Sequence, residues 1–204
     1  MKGRRPNLAW IAEYYDALVE KYGHSAKACD YGKVESQRLK FKVLAEVLPL
    51  TGKRILDVGC GFADFADFVA AQYGNVHYVG IDVSPRMIEE AKRSHPELDV
   101  RLGNIFDDDP GKFDVVFANG IFYLLDANVW CLMKKAIRRM FQMCTQALAF
   151  NSLSIWAPER AREEFYADPL ETIVFCRTLT PWVVLRCDYH PRDFTVYMYK
   201  KLNA

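Results

Sequence analysis

Two carboxylates and the glycines beside one of them carry the most specific chemistry in this chain. Asp57 lies in Arg54-Ile-Leu-Asp-Val-Gly-Cys-Gly-Phe-Ala-Asp-Phe-Ala66, and Asp82 follows 25 residues later, after Val76-His-Tyr-Val-Gly-Ile81. Ile55, Leu56 and Val58 form the short apolar run of a strand covered on both faces. Gly59 and Gly61 make a turn without Cβ atoms, so a ligand can approach the backbone from Gly59 through Cys60 to Gly61. Phe62, Phe65, Ala66 and Val69 recur at helical spacing and open a helix whose N-terminus faces that turn. A pyrophosphate loop of the form G-x-G-x-x-G would need a third glycine where this chain has Asp64. Asp57 would also repel a pyrophosphate, whereas it suits a ligand with a cationic or amine end. A carboxylate at Asp82 can accept both hydroxyls of a ribose; the competing reading is an acid at a helix N-terminus.

The elements that must position these groups follow from periodicity. Residues 7–22 read as a helix capped by Asn7, with Leu8, Ile11, Tyr15, Leu18 and Tyr22 on one stripe and Gly23 at its end. A loop over 24–32 leads to a second helix, about 33–48, which Pro49 and Gly52 stop. From Lys53 onward strand and helix alternate, which argues for a parallel sheet. The expected strands are 53–58, 76–81, about 98–102, 113–118 and 147–151, with helices over about 62–73, Pro85 to Ser94 and 127–143. Ser84 caps and Pro85 opens the middle helix. A helical insertion, 152–180 with its helix at about 158–178, precedes two last strands, 182–189 and 194–200, joined by His190-Pro-Arg-Asp193. Four residues are too few for a parallel crossover, so this pair is an antiparallel hairpin. The whole, 1–204, reads as one domain. Two helices before the first strand, residues 1–49, exceed what a minimal α/β sheet needs. They either form a lid or cover a sheet edge.

L-D-V-G-C-G-F resembles the first motif of the class I S-adenosylmethionine-dependent methyltransferases, and I-D-V-S-P-R-M-I-E-E-A-K resembles the second. F-D-V-V-F-A-N-G-I-F is similar to the family's fourth-strand segment, and D-Y-H-P-R-D-F-T-V-Y-M-Y-K to the terminal hairpin of its small-molecule members. The resemblance implies a doubly wound, seven-stranded, mostly parallel α/β sheet in the order 3-2-1-4-5-7-6. It implies S-adenosylmethionine as cofactor, whose sulfonium and ammonium fit the acid at Asp57. Val83 and Met87 would lie against the adenine, Met87 being equally suited to core filling. Asn104, followed by Ile105, stands where the family commonly has an acid that meets the adenine amino group; the Asn104 carbonyl oxygen can accept that bond. The backbone from Ala118 through Asn119 would line the methionine arm.

The remaining readings bound the acceptor. Lys plus Arg total 27 against 26 Asp plus Glu, a net charge of +1, so no overall field draws the protein to nucleic acid or membrane. The basic N-terminus lacks the apolar run of a signal peptide, no stretch approaches a membrane span, and the six cysteines include no Cys-x-x-Cys. A cytoplasmic protein with reduced thiols, without a metal, monomeric or homodimeric, is expected. The chain lacks the prolines of DNA-adenine and amide methylases after the fourth strand. It also lacks the carboxylates beyond the fifth strand that would hold Mg²⁺. Lys134, Lys135, Arg138 and Arg139 read as a solvated helix face. A methyl transfer to oxygen or nitrogen of a small molecule follows, with His190 or His24 as general base and Tyr31 near the reacting methyl. Two rivals are a non-catalytic binder on the same fold and a nicotinamide oxidoreductase.

Overall fold

A computed structural model describes residues 7–125 and 128–202. The ends of the 1–204 span and the expected start of the long helix at 127 lie outside the described residues. Seven strands, β1 (Arg54–Val58), β2 (His77–Asp82), β3 (Asp99–Leu102), β4 (Phe113–Ala118), β5 (Cys144–Leu153), β6 (Val183–Arg186) and β7 (Asp193–Tyr199), form one sheet in the order β3-β2-β1-β4-β5-β7-β6. Pairings among β1 to β5 are parallel, and β7 runs antiparallel to both β5 and β6.

Helices cover both faces. Ile55, Val115, Phe117, Ala147 and Ala149 point to one side, under α2 (Val34–Ala45), α3 (Asp64–Tyr73) and α4 (Pro85–Ser94). Leu56, Val116, Leu148, Phe150 and Val196 point to the other, under α5 (Val129–Met143), α6 (Pro169–Arg177) and Ile11 of α1 (Leu8–Tyr22). This alternation is why the central strands read as continuous apolar runs: both faces are covered. Asn7 accepts from the Trp10 N–H at 3.2 Å, and Ser84 from the Met87 N–H at 3.1 Å, so both expected caps form.

Several boundaries differ from the sequence reading. β5 begins at Cys144 and extends to Leu153, because β7 pairs with it from Ala147 to Leu153 and prolongs it past its apolar run. Within the 152–180 insertion only Pro169–Arg177 is helical. Its earlier part is irregular and is tied down by a bridge between Ser154 and Ala167. The connection between β6 and β7 is six residues, 187–192, rather than four. Lys134 and Arg138 lie over the Phe175 ring and Lys135 over Phe106, while Arg139 donates to the Asp108 carbonyl at 2.7 Å. The basic face is solvated at Lys135 and Arg138 and only partly covered at Lys134 and Arg139, and its cations also lie over aromatic faces on α6 and the loop after β3. No helix among the described residues is long and apolar enough to cross a membrane.

Candidate functional site

The carboxyl ends of β1, β2 and β4 open into one cavity of about 400 Å³, a volume in the range of small-ligand sites. All ten residues expected to hold the cofactor border it: Asp57, Gly59, Cys60, Gly61, Asp82, Val83, Met87, Asn104, Ile105 and Asn119. The turn after β1 is built for close approach. Gly59 has φ +75°, and a Cβ there would stand 2.4 Å from Ile121 Cγ2. The Gly59 and Cys60 N–H groups both donate to the Ile81 carbonyl, which ties the turn to β2. Ala63 holds a left-handed φ of 66° at the start of α3, a conformation that costs a non-glycine residue about 1–2 kcal/mol. The spacing Gly59-x-Gly61-x-Ala63 thus continues the turn one step further than the glycines alone indicated.

Asp82 is buried and braces the site. Its Oδ2 accepts from the Gly61 N–H and its Oδ1 from the Ser84 N–H, each at 2.9 Å. Helix capping itself falls to the Ser84 hydroxyl. Each Asp82 oxygen retains a lone pair beside the cavity. Asp57 accepts from the Tyr78 hydroxyl at 2.7 Å. Burial pushes its carboxyl up to about 7, the Tyr78 bond opposing and the neighbouring Asp82 charge adding to the rise. A cationic group placed there would favour the carboxylate.

Other expected residues serve differently. Cys60 turns its Sγ toward Gly80, so it offers the site its backbone and the core its side chain. Met87 packs with Ala28 and Phe62. The Asn104 carbonyl oxygen accepts from both the Phe106 and Asp107 N–H groups, at 2.9 and 3.0 Å. Both of its lone pairs thus serve the turn after β3, on the border of the cavity. Asn119 is held by Asn151, whose Nδ2 donates to it at 2.6 Å while Oδ1 accepts from Gly120 N–H at 2.7 Å. Asn151 was read only as the uncharged end of the fifth strand; its role needs β4 and β5 side by side.

The far end of the cavity holds the proton-transfer candidates. His190 Nδ1 lies 2.6 Å from Asp193 Oδ2. The Arg192 N–H donates to the same nitrogen at 3.2 Å, and Nε2 lies 3.5 Å from Ser36 Oγ. Burial holds the imidazole below its usual range, with Asp193 opposing and Lys40 adding to the depression. Lys40 Nζ sits 3.1 Å from Asp193 Oδ1 and 5.0 Å above the Tyr31 ring. The Tyr31 hydroxyl stands 3.6 Å from where a Cβ on Gly120 would lie, at the end of β4. His24 is not among the lining residues. Its Nε2 is 2.7 Å from Asp64, Nδ1 is 3.3 Å from Ser94, and the ring lies against Phe62. The loop carrying it folds back onto α3 and α4, and His24 ties the two helices together outside the cavity lining. Tyr15, Tyr31, Phe122 and Tyr123 give the cavity aromatic walls.

The family model described as "Methyltransferase domain" matches residues 56–152, the span from β1 to the end of β5 that bears this turn, Asp82 and Asn119. That match spans just under half of the chain, and the fold around it is that of the class I methyltransferases. The chain is 31% identical over 134 residues to the 18S rRNA (guanine-N(7))-methyltransferase of Bos taurus, covering 62% of the chain but 46% of that protein. It is 29% identical over 157 residues to a Mycobacterium tuberculosis protein assigned to methyltransferases by name only, covering 72% and 92%. The magnesium protoporphyrin IX methyltransferase of Synechocystis PCC 6803, solved with bound S-adenosylmethionine, superposes with a TM-score of 0.67 at 14% identity, covering 97% of this chain and all of that one. The chain therefore spans about half the length of the bovine relative, and the structural likeness at such identity concerns the fold. Among the described residues, no three His, Cys, Asp or Glu side chains are grouped to hold a metal ion in the methyltransferase.

Proposed function

We propose that this methyltransferase binds S-adenosylmethionine beyond the ends of β1, β2 and β4 and methylates an oxygen or nitrogen of a small molecule. The observation that carries the reading is the His190–Asp193 pair facing the same cavity as the glycine turn. The cofactor supplies an electrophilic methyl on sulfur. Asp82 accepts from ribose hydroxyls with its remaining lone pairs, and Asp57 offers a carboxylate to the ammonium end. Asp193 holds His190 in place to take the acceptor's proton, and Tyr31 closes the space beside Gly120 against water. Residues 8–32 serve as a lid over these groups. A nearly neutral overall charge favours a small molecule over nucleic acid.

His190→Asn should lower kcat by about 10²- to 10⁴-fold, the usual contribution of a general base. Binding of S-adenosylhomocysteine should stay unchanged. Because burial depresses the imidazole, the acid limb of the wild-type kcat/KM profile should fall below the ordinary histidine range. Calorimetry with S-adenosylhomocysteine and with NADH separates this reading from a nicotinamide enzyme. Labelled cofactor with an acceptor panel separates it from a binder without transfer.

A further inference from the structure

Three polar atoms at the far end of the cavity are buried and have no hydrogen-bond partner: the donors Arg192 Nε and Ser152 Oγ, and Asp193 Oδ2, which lies in an ion pair with His190. Arg192 and Ser152 both line the cavity, and Ser152 is only 3% exposed. Burying such groups unpaired is costly, so a structure that retains them at a ligand site is completed when a ligand satisfies them. The guanidinium is already held. Its Nη2 donates to Glu164 Oε2 and to the Tyr166 hydroxyl, each at 2.9 Å, and Tyr166 in turn donates to Glu164. The Arg192 backbone is fixed as well, its carbonyl accepting from the Ser154 N–H at 2.8 Å. Arg192 is the last residue before β7 and Ser152 lies on the neighbouring β5, with no hydrogen bond between their side chains.

The chemistry of the pair is restrictive. Nε–H is a donor and nothing else, and a serine hydroxyl beside it can donate too. Two such donors match two oxygens on one planar group, which is the geometry in which arginine takes carboxylates. Lys40 adds a third donor group at this end, since Asp193 and the Tyr31 face leave part of its ammonium free. Glu164, Asp193 and Asp30 offset these cations, and each is engaged: Glu164 by Arg192, Asp193 by His190 and Lys40, Asp30 by the hydroxyls of Tyr14 and Tyr123.

We infer that the acceptor is a hydroxy or amino acid whose carboxylate is bound between Arg192 Nε and the Ser152 hydroxyl, with its nucleophile facing His190. This rests on the methyltransferase reading of the same cavity and specifies its substrate class. His190 stands two residues from Arg192, so the group bound by Arg192 and the group deprotonated by His190 belong to a compact molecule.

The test uses the full chain with S-adenosylmethionine and a panel of aliphatic and aromatic hydroxy and amino acids, each beside its primary amide. Transfer to acids with kcat/KM at least tenfold above their amides is expected. Arg192→Met should abolish that preference and raise KM at least tenfold, Arg192→Lys should restore part of it, and Ser152→Ala should raise KM a few-fold. S-adenosylhomocysteine binding, measured in parallel, should not change in any variant that melts like the wild type. Equal turnover of acids and amides, an unaltered preference in both Arg192→Met and Ser152→Ala, or transfer to none of the acids while S-adenosylhomocysteine binds would each overturn the inference. Failure of the wild type to bind S-adenosylhomocysteine would instead overturn the reading on which it rests.

Discussion

The two helices that precede the first strand have similar lengths and opposite roles. α2 contributes Phe41, Val43, Leu44 and Ala45 to the core on one face of the sheet, and Tyr197 and Tyr199 of β7 donate to its Val43 and Val47 carbonyls. α1 buries only Ile11 outright. It docks by a small cluster in which Tyr15, Leu18 and Val19 meet Ala28, Phe62 and Met87. Ile11, Leu8 and Tyr15 also meet the edge of the main core, and polar contacts add to these. Asp16 accepts from the Ser84 hydroxyl at 2.5 Å, and Tyr15 and Tyr123 share a hydrogen bond at 2.7 Å. Tyr123 also donates to Asp30 at 2.8 Å. A helix held by apolar area unfolds with the domain, while one held by a few hydroxyls over a cavity can open alone. α2 packs on the sheet, while α1 gives Leu8, Ile11 and Tyr15 to the wall of the cavity.

The largest expected effect is on stability. Leu44→Ala should cost about 2–5 kcal/mol, the range for emptying a buried leucine site. Ile11→Ala should leave the midpoint of global unfolding in urea nearly in place, because α1 can undock first. Equal losses in the two variants would erase the distinction. An intermediate effect links the site to the helix. With the Asp57 carboxyl at about 7, the free protein carries it half protonated near neutrality. An ammonium ligand selects the carboxylate, so affinity rises as pH rises through that value. S-adenosylhomocysteine should bind about tenfold more tightly at pH 8 than at pH 6, and Asp57→Asn should flatten the profile. Hydrogen exchange should show the same pH dependence of ligand-induced protection in residues 10–32, with α2 protected throughout. The smallest effect is the latch. Tyr123→Phe removes the hydroxyl that joins Tyr15 to Asp30 and should loosen α1 by about 1 kcal/mol. Faster exchange in α1 of the ligand-bound form, with no change in α2, is the expected signature.

Local chemistry made most of the architecture legible. The apolar runs of β1, β2 and β4, the Ser84-Pro85 helix start and the Asn7 cap are decided within a few residues, so periodicity and capping rules find them. The glycine turn, Asp57 and Asp82 were legible for the same reason, since Asp57 and the turn share one strand–turn–helix unit and Asp82 ends the next strand, and all border one cavity. Limits set by pairing were not. β5 owes its last residues to β7, and the irregular stretch before α6 owes its course to a bridge with Ser154.

What each side chain does was settled by partners far away in the chain. His24 and His190 are both loop histidines in the sequence. Only the folded chain brings Asp64, Ser94 and Phe62 around the first, and the cavity, Ser36 and Lys40 around the second. Asn104 supplied the expected group type, but the turn that follows it takes both lone pairs. Arg192 and Ser152 carried no signal at all, because an unpaired buried donor is defined by what surrounds it. The sequence alone determined the central strands, their helices and the position of the glycine turn, because those depend on neighbours along the chain. Only the tertiary structure decided which charges and donors face the cavity, because desolvation and hydrogen bonding depend on neighbours in space.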